Sequence, residues 1–128
     1  MSASTPMYQV ISYLNDLDGS YVSLFAPDAI VSDVASKQIS VGLPDIQSYF
    51  KQYFFAHNVQ TSIHSVEPLN DEVLAHVTFH GDFSDSFASD GNVDATIELA
   101  TTGHKIHKMI IKLDAAYCGM LRLLINRE

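Results

Sequence analysis

Apolar residues recur along this chain with two different periods, and the change from one to the other divides it in half. Met7, Val10, Ile11 and Leu14 fall at i, i+3, i+4 and i+7 behind Thr5-Pro6, a cap followed by a proline at the first helical position, which predicts a helix over 6–16. Asp18-Gly19-Ser20 interrupts it. Tyr21, Val22, Leu24 and Phe25 then predict a second short helix that ends before Pro27. Two short β-type runs follow, Ala29-Ile30-Val31 and Ile39-Ser40-Val41, around a polar turn through Ser36 and Lys37, with Gly42 breaking the second. From Pro44 the helical period returns most clearly: Ile46, Tyr49, Phe50, Tyr53 and Phe54 make one stripe to about His57. Such a stripe is expected to lie as core across a sheet.

After Asn58 the pattern alternates, and it predicts strands at 59–67, 72–83, 93–101 and 105–113. Turn residues separate them at Leu69-Asn70-Asp71, Ser84–Asn92 and Thr102-Gly103. The expected class is α+β, with three N-terminal helices packed on one side of a strongly curved, mostly antiparallel sheet in a single domain over 1–128. A space between sheet and helices is where a ligand would go. Residues 114–128 form a C-terminal extension. Its Tyr117, Met120, Leu121, Leu124 and Ile125 fit a helix, while Leu121, Leu123 and Ile125 also fit a strand. Either form has a large apolar side, expected to cover the pocket mouth or to pack on a second copy in a homodimer.

Composition narrows the partners. The 128 residues hold 7 Lys+Arg against 15 Asp+Glu, a formal charge of −8, and no Lys or Arg occurs between Lys51 and Lys105. That balance repels phosphates, so neither nucleic acid nor an anionic membrane surface is an expected partner. No apolar run approaches the ~20 residues of a membrane span. With 17% charged residues and a mean hydropathy of +0.09, the chain has the composition of a folded domain. The Met-Ser-Ala-Ser-Thr-Pro start lacks the basic and apolar regions of a secretory signal, and Cys118 is the single cysteine. The expected compartment is the reducing cytoplasm.

The segment Leu24-Phe-Ala-Pro-Asp-Ala-Ile-Val-Ser-Asp33 has the form L-F-x-x-D-A-x-x-x-D, and it precedes a Gly and a helix with an Ile-x-x-Tyr-Phe pattern. In this motif and in element order over about 6–113, the chain resembles the NTF2-like superfamily, in particular its SnoaL-like and ketosteroid isomerase-like branch. The resemblance implies a conical α+β barrel with a pocket between sheet and helices, commonly in a homodimer. It implies Asp33 as the general base, because the aspartate ending this motif has that role in isomerase and cyclase members. The oxyanion-binding tyrosine of the first helix would fall at Tyr8, with Tyr13 as the other candidate, and the second acid at Asp94, or Thr96 if the sheet shifts one step. The sequence departs from the isomerase pattern at Val34, where a proline often stands.

The residues themselves permit this chemistry. Proton abstraction beside a carbonyl needs a base near neutrality, and apolar walls such as Ile30, Val31, Phe50 and Phe54 would strengthen a carboxylate at Asp33 by disfavouring its charge. A tyrosine or a protonated aspartate would then meet the enolate oxygen, as in the known ketosteroid isomerase arrangement. Each residue also has a plainer reading. Asp33 fits a turn residue capping the hairpin toward Ser36, Tyr8 and Tyr13 flank the helix stripe, and Asp94 shares a strand face with Thr96 and Glu98.

His76 and His80 alternate with Val77 and Phe79, so one set faces the pocket or core; if the histidines do, they become candidate acid–base groups lining it. Four residues of strand place them about 13 Å apart, too far for one ion, and no metal site is expected. No phosphate-binding, dinucleotide, serine-hydrolase or dithiol motif is present, and no cofactor is implied. Two functions remain in view: a cofactor-independent isomerase or cyclase acting on a small apolar or weakly polar carbonyl compound, or a non-catalytic ligand-binding or protein-interaction module of the same fold.

Overall fold

The computed structural model describes residues 4–33, 38–55, 58–69, 72–81, 92–103 and 105–113. The 114–128 extension with Cys118, the turn at Ser36 and Lys37, and most of the Ser84–Asn92 connection lie outside them. The elements are α1 (Ser4–Asn15), a 3-10 helix (Gly19–Leu24), β1 (Phe25–Asp33), β2 (Gln38–Val41), α2 (Leu43–Tyr53), β3 (Gln60–Leu69), β4 (Glu72–His80), β5 (Asn92–Thr102) and β6 (Lys105–Leu113). Mixed α+β architecture is therefore present, with two α-helices and one 3-10 helix among the described residues. The strands form one curved sheet in the order β2-β1-β6-β5-β4-β3.

Strands β3 to β6 form the antiparallel run that their alternation predicts, and β1 joins β6 in parallel. One face of this sheet is apolar because the sequence alternates: Val73, Ala75, Val77 and Phe79 of β4, and Val93, Ala95, Ile97 and Leu99 of β5, are all buried. The opposite face carries His76, Thr78 and His80 of β4 with Asp94, Thr96 and Glu98 of β5.

The largest departure from the sequence pattern is β1, which spans nine residues rather than Ala29–Val31 alone. Phe25, in the predicted second helix, instead begins this strand. Pro27 has no N–H to give a ladder, which hides the strand from propensity. The register against β6 shifts between Phe25 and Ile30, so the proline falls in the irregular stretch. Beyond it, Ala29, Val31 and Asp33 point to the buried face.

Each helix covers one end of the sheet. Met7, Val10, Ile11 and Leu14 bury the predicted stripe of α1, which packs on β3 and β4. Its C-terminus closes with Leu17 N–H donating to the Leu14 carbonyl and Asp18 N–H to that of Tyr13, while Leu17 takes a left-handed φ of 56°. These are the two bonds of a Schellman ending without its usual glycine. Asn15 then ties α1 to the edge strand β3. Its amide donates to the Thr61 carbonyl at 2.8 Å and accepts the Thr61 N–H at 2.7 Å, in the manner of a neighbouring strand.

Helix α2 lies over β1 and β2 at the other end. Gly42 makes the corner, with a φ of 85° that disfavours other residues; its N–H reaches the Ala29 carbonyl and its own carbonyl accepts from Ile46. Pro44 then opens the helix. The helix ends at Tyr53, short of the expected His57: Phe54 is its C-cap, its N–H still donating to the Phe50 carbonyl, while its own carbonyl accepts from Val59. Beneath α2, Tyr21, Phe25, Tyr49, Phe50, Phe54 and Phe79 stack mainly edge to face, with centroids 5.1–6.4 Å apart.

Candidate functional site

A carboxylate at the end of β1 is the focus of the site. Asp33 has 0% exposure, and it is one of few polar side chains buried among the described residues. The alternation that buries Ala29 and Val31 carries Asp33 to the same face, under α2. Removing a charge from water costs several kcal/mol unless partners offset it. Tyr49 supplies one: its hydroxyl donates to Asp33 Oδ2 at 3.4 Å. Burial first, then the Asp33 charge and this hydrogen bond, hold the Tyr49 hydroxyl well above its ordinary pKa, so Tyr49 remains a donor throughout the neutral range.

Tyr49 also links Asp33 to the outside. A cleft of about 390 Å³ opens between α2 and β2, lined by Ile39, Ser40, Asp45, Ser48, Tyr49, Gln52 and Tyr53. The helical spacing of Asp45, Ser48, Tyr49, Gln52 and Tyr53 puts them along one flank of α2. Asp33 therefore lies one side chain behind the cleft wall.

The other expected site residues are distributed over the molecule. Phe50 and Phe54 are buried in the aromatic cluster beneath α2, with Phe50 in edge contact with Tyr49 at 5.2 Å. Tyr8 is 53% exposed on α1. Tyr13 is half-buried, and the two border a separate depression of about 300 Å³ with Gln9 and Ser12. Helix α1 covers β3 and β4, at the other end of the sheet from β1, and Tyr8 and Tyr13 border a depression separate from the α2–β2 cleft that Tyr49 lines. The structure does not bring them together.

Asp94, His76 and His80 are on the outer face of the sheet, opposite the helices, because Val77, Phe79, Val93 and Ala95 take the inner positions and bury more apolar surface. There Asp94 belongs to a different network. Thr78 donates to Asp94 Oδ1 at 2.7 Å, so its single hydroxyl hydrogen is used, and His64 Nε2 at 2.6 Å must be the donor to Thr78 Oγ1. His64 reaches this face at a register shift in β3 between Ile63 and Ser65. Ser62 and His80 Nε2 form a second polar pair at 3.1 Å nearby. Among the described residues, no three His, Cys, Asp or Glu side chains converge as metal ligands, and no helix is long and apolar enough to cross a membrane.

Tyr49 is the residue that the sequence pattern did not single out. It sits in a stripe that reads as core, and it is core; what marks it is that a tyrosine hydroxyl inside an apolar stripe needs a buried partner. That partner lies 16 residues earlier, with β2 and the start of α2 between them.

Comparison with known proteins establishes the fold. No protein-family model matches the chain, and no curated protein sequence matches it. Solved structures do. A candidate polyketide cyclase from Sinorhizobium meliloti superposes with a TM-score of 0.73 at 18% identity, covering 84% of this chain and 93% of that one. A candidate ketosteroid isomerase from Kribbella flavida gives a TM-score of 0.72 at 11% identity, over 85% of this chain and 75% of the other. A protein of ketosteroid isomerase-like fold from Catenulispora acidiphila, in complex with trimethylamine, gives 0.69 at 18% identity, over 87% and 85%. The chain thus has the NTF2-like fold of SnoaL-like and ketosteroid isomerase-like proteins, as its motif and element order suggested.

Proposed function

We propose that the chain is a small-molecule pocket protein that performs isomerase- or cyclase-type acid–base chemistry on an apolar carbonyl compound, without a cofactor, with Asp33 as the base. The observation that carries this reading is the buried Asp33 carboxylate held by Tyr49 at the wall of the α2–β2 cleft. In the reaction, a C–H bond beside the carbonyl breaks, its proton passes to an Asp33 oxygen, and the electron pair moves onto the carbonyl oxygen as an enolate. The Tyr53 hydroxyl, at the cleft, takes the donor role that the resemblance gave to Tyr8 and Asp94, since the one hydroxyl hydrogen of Tyr49 is given to Asp33. The proton then returns to another carbon in an isomerisation; in a cyclisation the enolate carbon attacks a second carbonyl, whose π electrons move onto its oxygen, and that alkoxide takes the proton back from Asp33. The small ligand held by the Catenulispora neighbour supports a small-molecule site in this fold. We further take the protein to act as a homodimer in the cytoplasm.

A second reading has its own support. Ile30, Ile39 and Val41 are 38%, 65% and 54% exposed and lie side by side on the outer face of β1 and β2. Such a group favours a non-catalytic module that binds a protein partner or a second copy there. Turnover separates the readings. A panel of β,γ-unsaturated ketones and poly-β-ketones is screened for isomerisation and cyclisation, and Asp33→Asn should lower the rate of any active compound by at least about 100-fold. Undiminished turnover in that variant rejects Asp33 as the base; no turnover across the panel, with Val41→Lys abolishing self-association or partner capture, favours the interaction module.

A further inference from the structure

The two edges of the sheet are finished differently. At β3, the Asn15 amide bonds the Thr61 backbone as a strand would, and Glu67 and Pro68 blunt the rest of the edge. Strand β2 has no such device. Its four residues are Gln38-Ile39-Ser40-Val41, Ile39 and Val41 are exposed, and among the described residues no strand pairs with its far side. The Gly42 N–H donates to the Ala29 carbonyl, so alternation along an antiparallel pair turns the N–H and C=O groups of Ile39 and Val41 away from β1. The α2–β2 cleft runs along this same edge, since Ile39 and Ser40, whose side chains leave β2 on opposite faces, both line it. Outward-turned backbone groups, two exposed β-branched side chains and a cleft coincide there, and that is the arrangement that takes up one more strand.

The chain holds a segment that fits. Strand β6 ends at Leu113, and the pairs Asp33↔Ile111 and Asp33↔Gln38 bring that end level with the start of β2, two strands away. The position beyond β2 is one strand further, at most about 14 Å at ~4.8 Å per strand, a distance that about five residues of ~3.3 Å each can cross. Asp114-Ala-Ala-Tyr-Cys118 supplies them, and Gly119 follows. Leu121, Leu123 and Ile125 then alternate with Arg122, Leu124 and Asn126, a period that sets three apolar side chains on one face of a strand. The only charged residues of 115–127 are Arg122 and Arg127, while the charged group lining the cleft is Asp45.

We propose that residues 120–126 add to the free edge of β2 as a further strand, parallel to it, and wall the open side of the α2–β2 cleft. Leu121, Leu123 and Ile125 then lie beside Ile39 and Val41 on the outer face, and Arg122 falls on the other face, toward Asp45. The proposal accounts for two large apolar side chains left exposed on an edge strand. It holds whether or not Asp33 is a base.

NMR on the unaltered full-length chain tests it, in a mixture of isotope-labelled and unlabelled copies so that contacts within one chain are separated from contacts between chains. The expected result is Overhauser contacts from the Ile39 and Val41 amides to residues 120–126 of the same chain. Those two amides should also exchange with solvent at least about tenfold more slowly than in Leu123→Pro, which disfavours strand pairing. Leu123→Asp, a milder change, should speed the same two amides by a smaller factor, and it serves if the proline variant does not fold. Contacts to residues 120–126 of another copy assign the edge to a second molecule and overturn the proposal. Tail contacts elsewhere, or equal exchange in the parent and the variants, overturn it too. None of these outcomes bears on turnover, so this proposal and the chemistry given to Asp33 fail separately.

Discussion

Replacing Tyr49 with phenylalanine tests the central interaction of the site with one oxygen atom. The hydroxyl donates to a carboxylate of 0% exposure, and the tyrosine itself is 4% exposed, so water does not take its place freely. A hydrogen bond to a charged group contributes about 1.5–3 kcal/mol, and the 3.4 Å separation is longer than the usual O–H···O distance, which places this one at the lower end. The expected loss is therefore about 1–2 kcal/mol. The ring stays, so its edge contacts with Phe50 and Phe54 at 5.2 and 6.0 Å persist and no cavity opens. In an Asp33→Asn background the charge is gone, and the same substitution should cost only about 0.5 kcal/mol, leaving a coupling near 1 kcal/mol. Urea unfolding of the four proteins at pH 7, followed by circular dichroism with a common slope, measures that coupling. If Tyr49→Phe costs the same in both backgrounds, the hydroxyl does not stabilise the carboxylate, and the account of how Asp33 tolerates burial is wrong.

Two further perturbations probe other parts of the chain. Thr78→Val interrupts the relay from His64 to Asp94 on the outer face and should destabilise by about 1–2 kcal/mol, read in the same urea assay; His64→Ala in that background should then add little, and full additivity would show that the relay is not a unit. At high pH, Tyr49 is held well above the ordinary 10.0 by burial and then by Asp33, and Tyr21 is pushed up to about 12 by burial. Both hydroxyls ionise more readily in the unfolded chain, so above pH 10 the folded state binds more protons. The contribution of these two groups should be level below that pH and fall as pH rises through 10 to about 12, and a urea midpoint unchanged between pH 8 and 11 would contradict it.

The sequence by itself determined the elements whose patterns are local. The Met7–Leu14 stripe of α1, the Ile46–Tyr53 stripe of α2 and the alternating runs of β4 to β6 were each legible, because 3.6 and 2 are periods a short window can register. It also marked Asp33, through a motif whose spacing follows a strand. Three things it left open were decided by tertiary structure. Strand β1 runs through Pro27 because β6, some eighty residues later, offers it a parallel partner, and no local pattern encodes a partner so distant. Parity left either set of β4 side chains free to face inward, and the apolar area of Val77 and Phe79 turned His76 and His80 outward with Asp94. The partner of Asp33 came from α2 rather than α1, since the sheet order sets α1 over β3 and β4 and leaves Tyr49, not Tyr8, above the end of β1. Periodicity tells which side of an element is buried; which buried residues meet depends on the order in which strands pair, and that order is a property of the whole sheet.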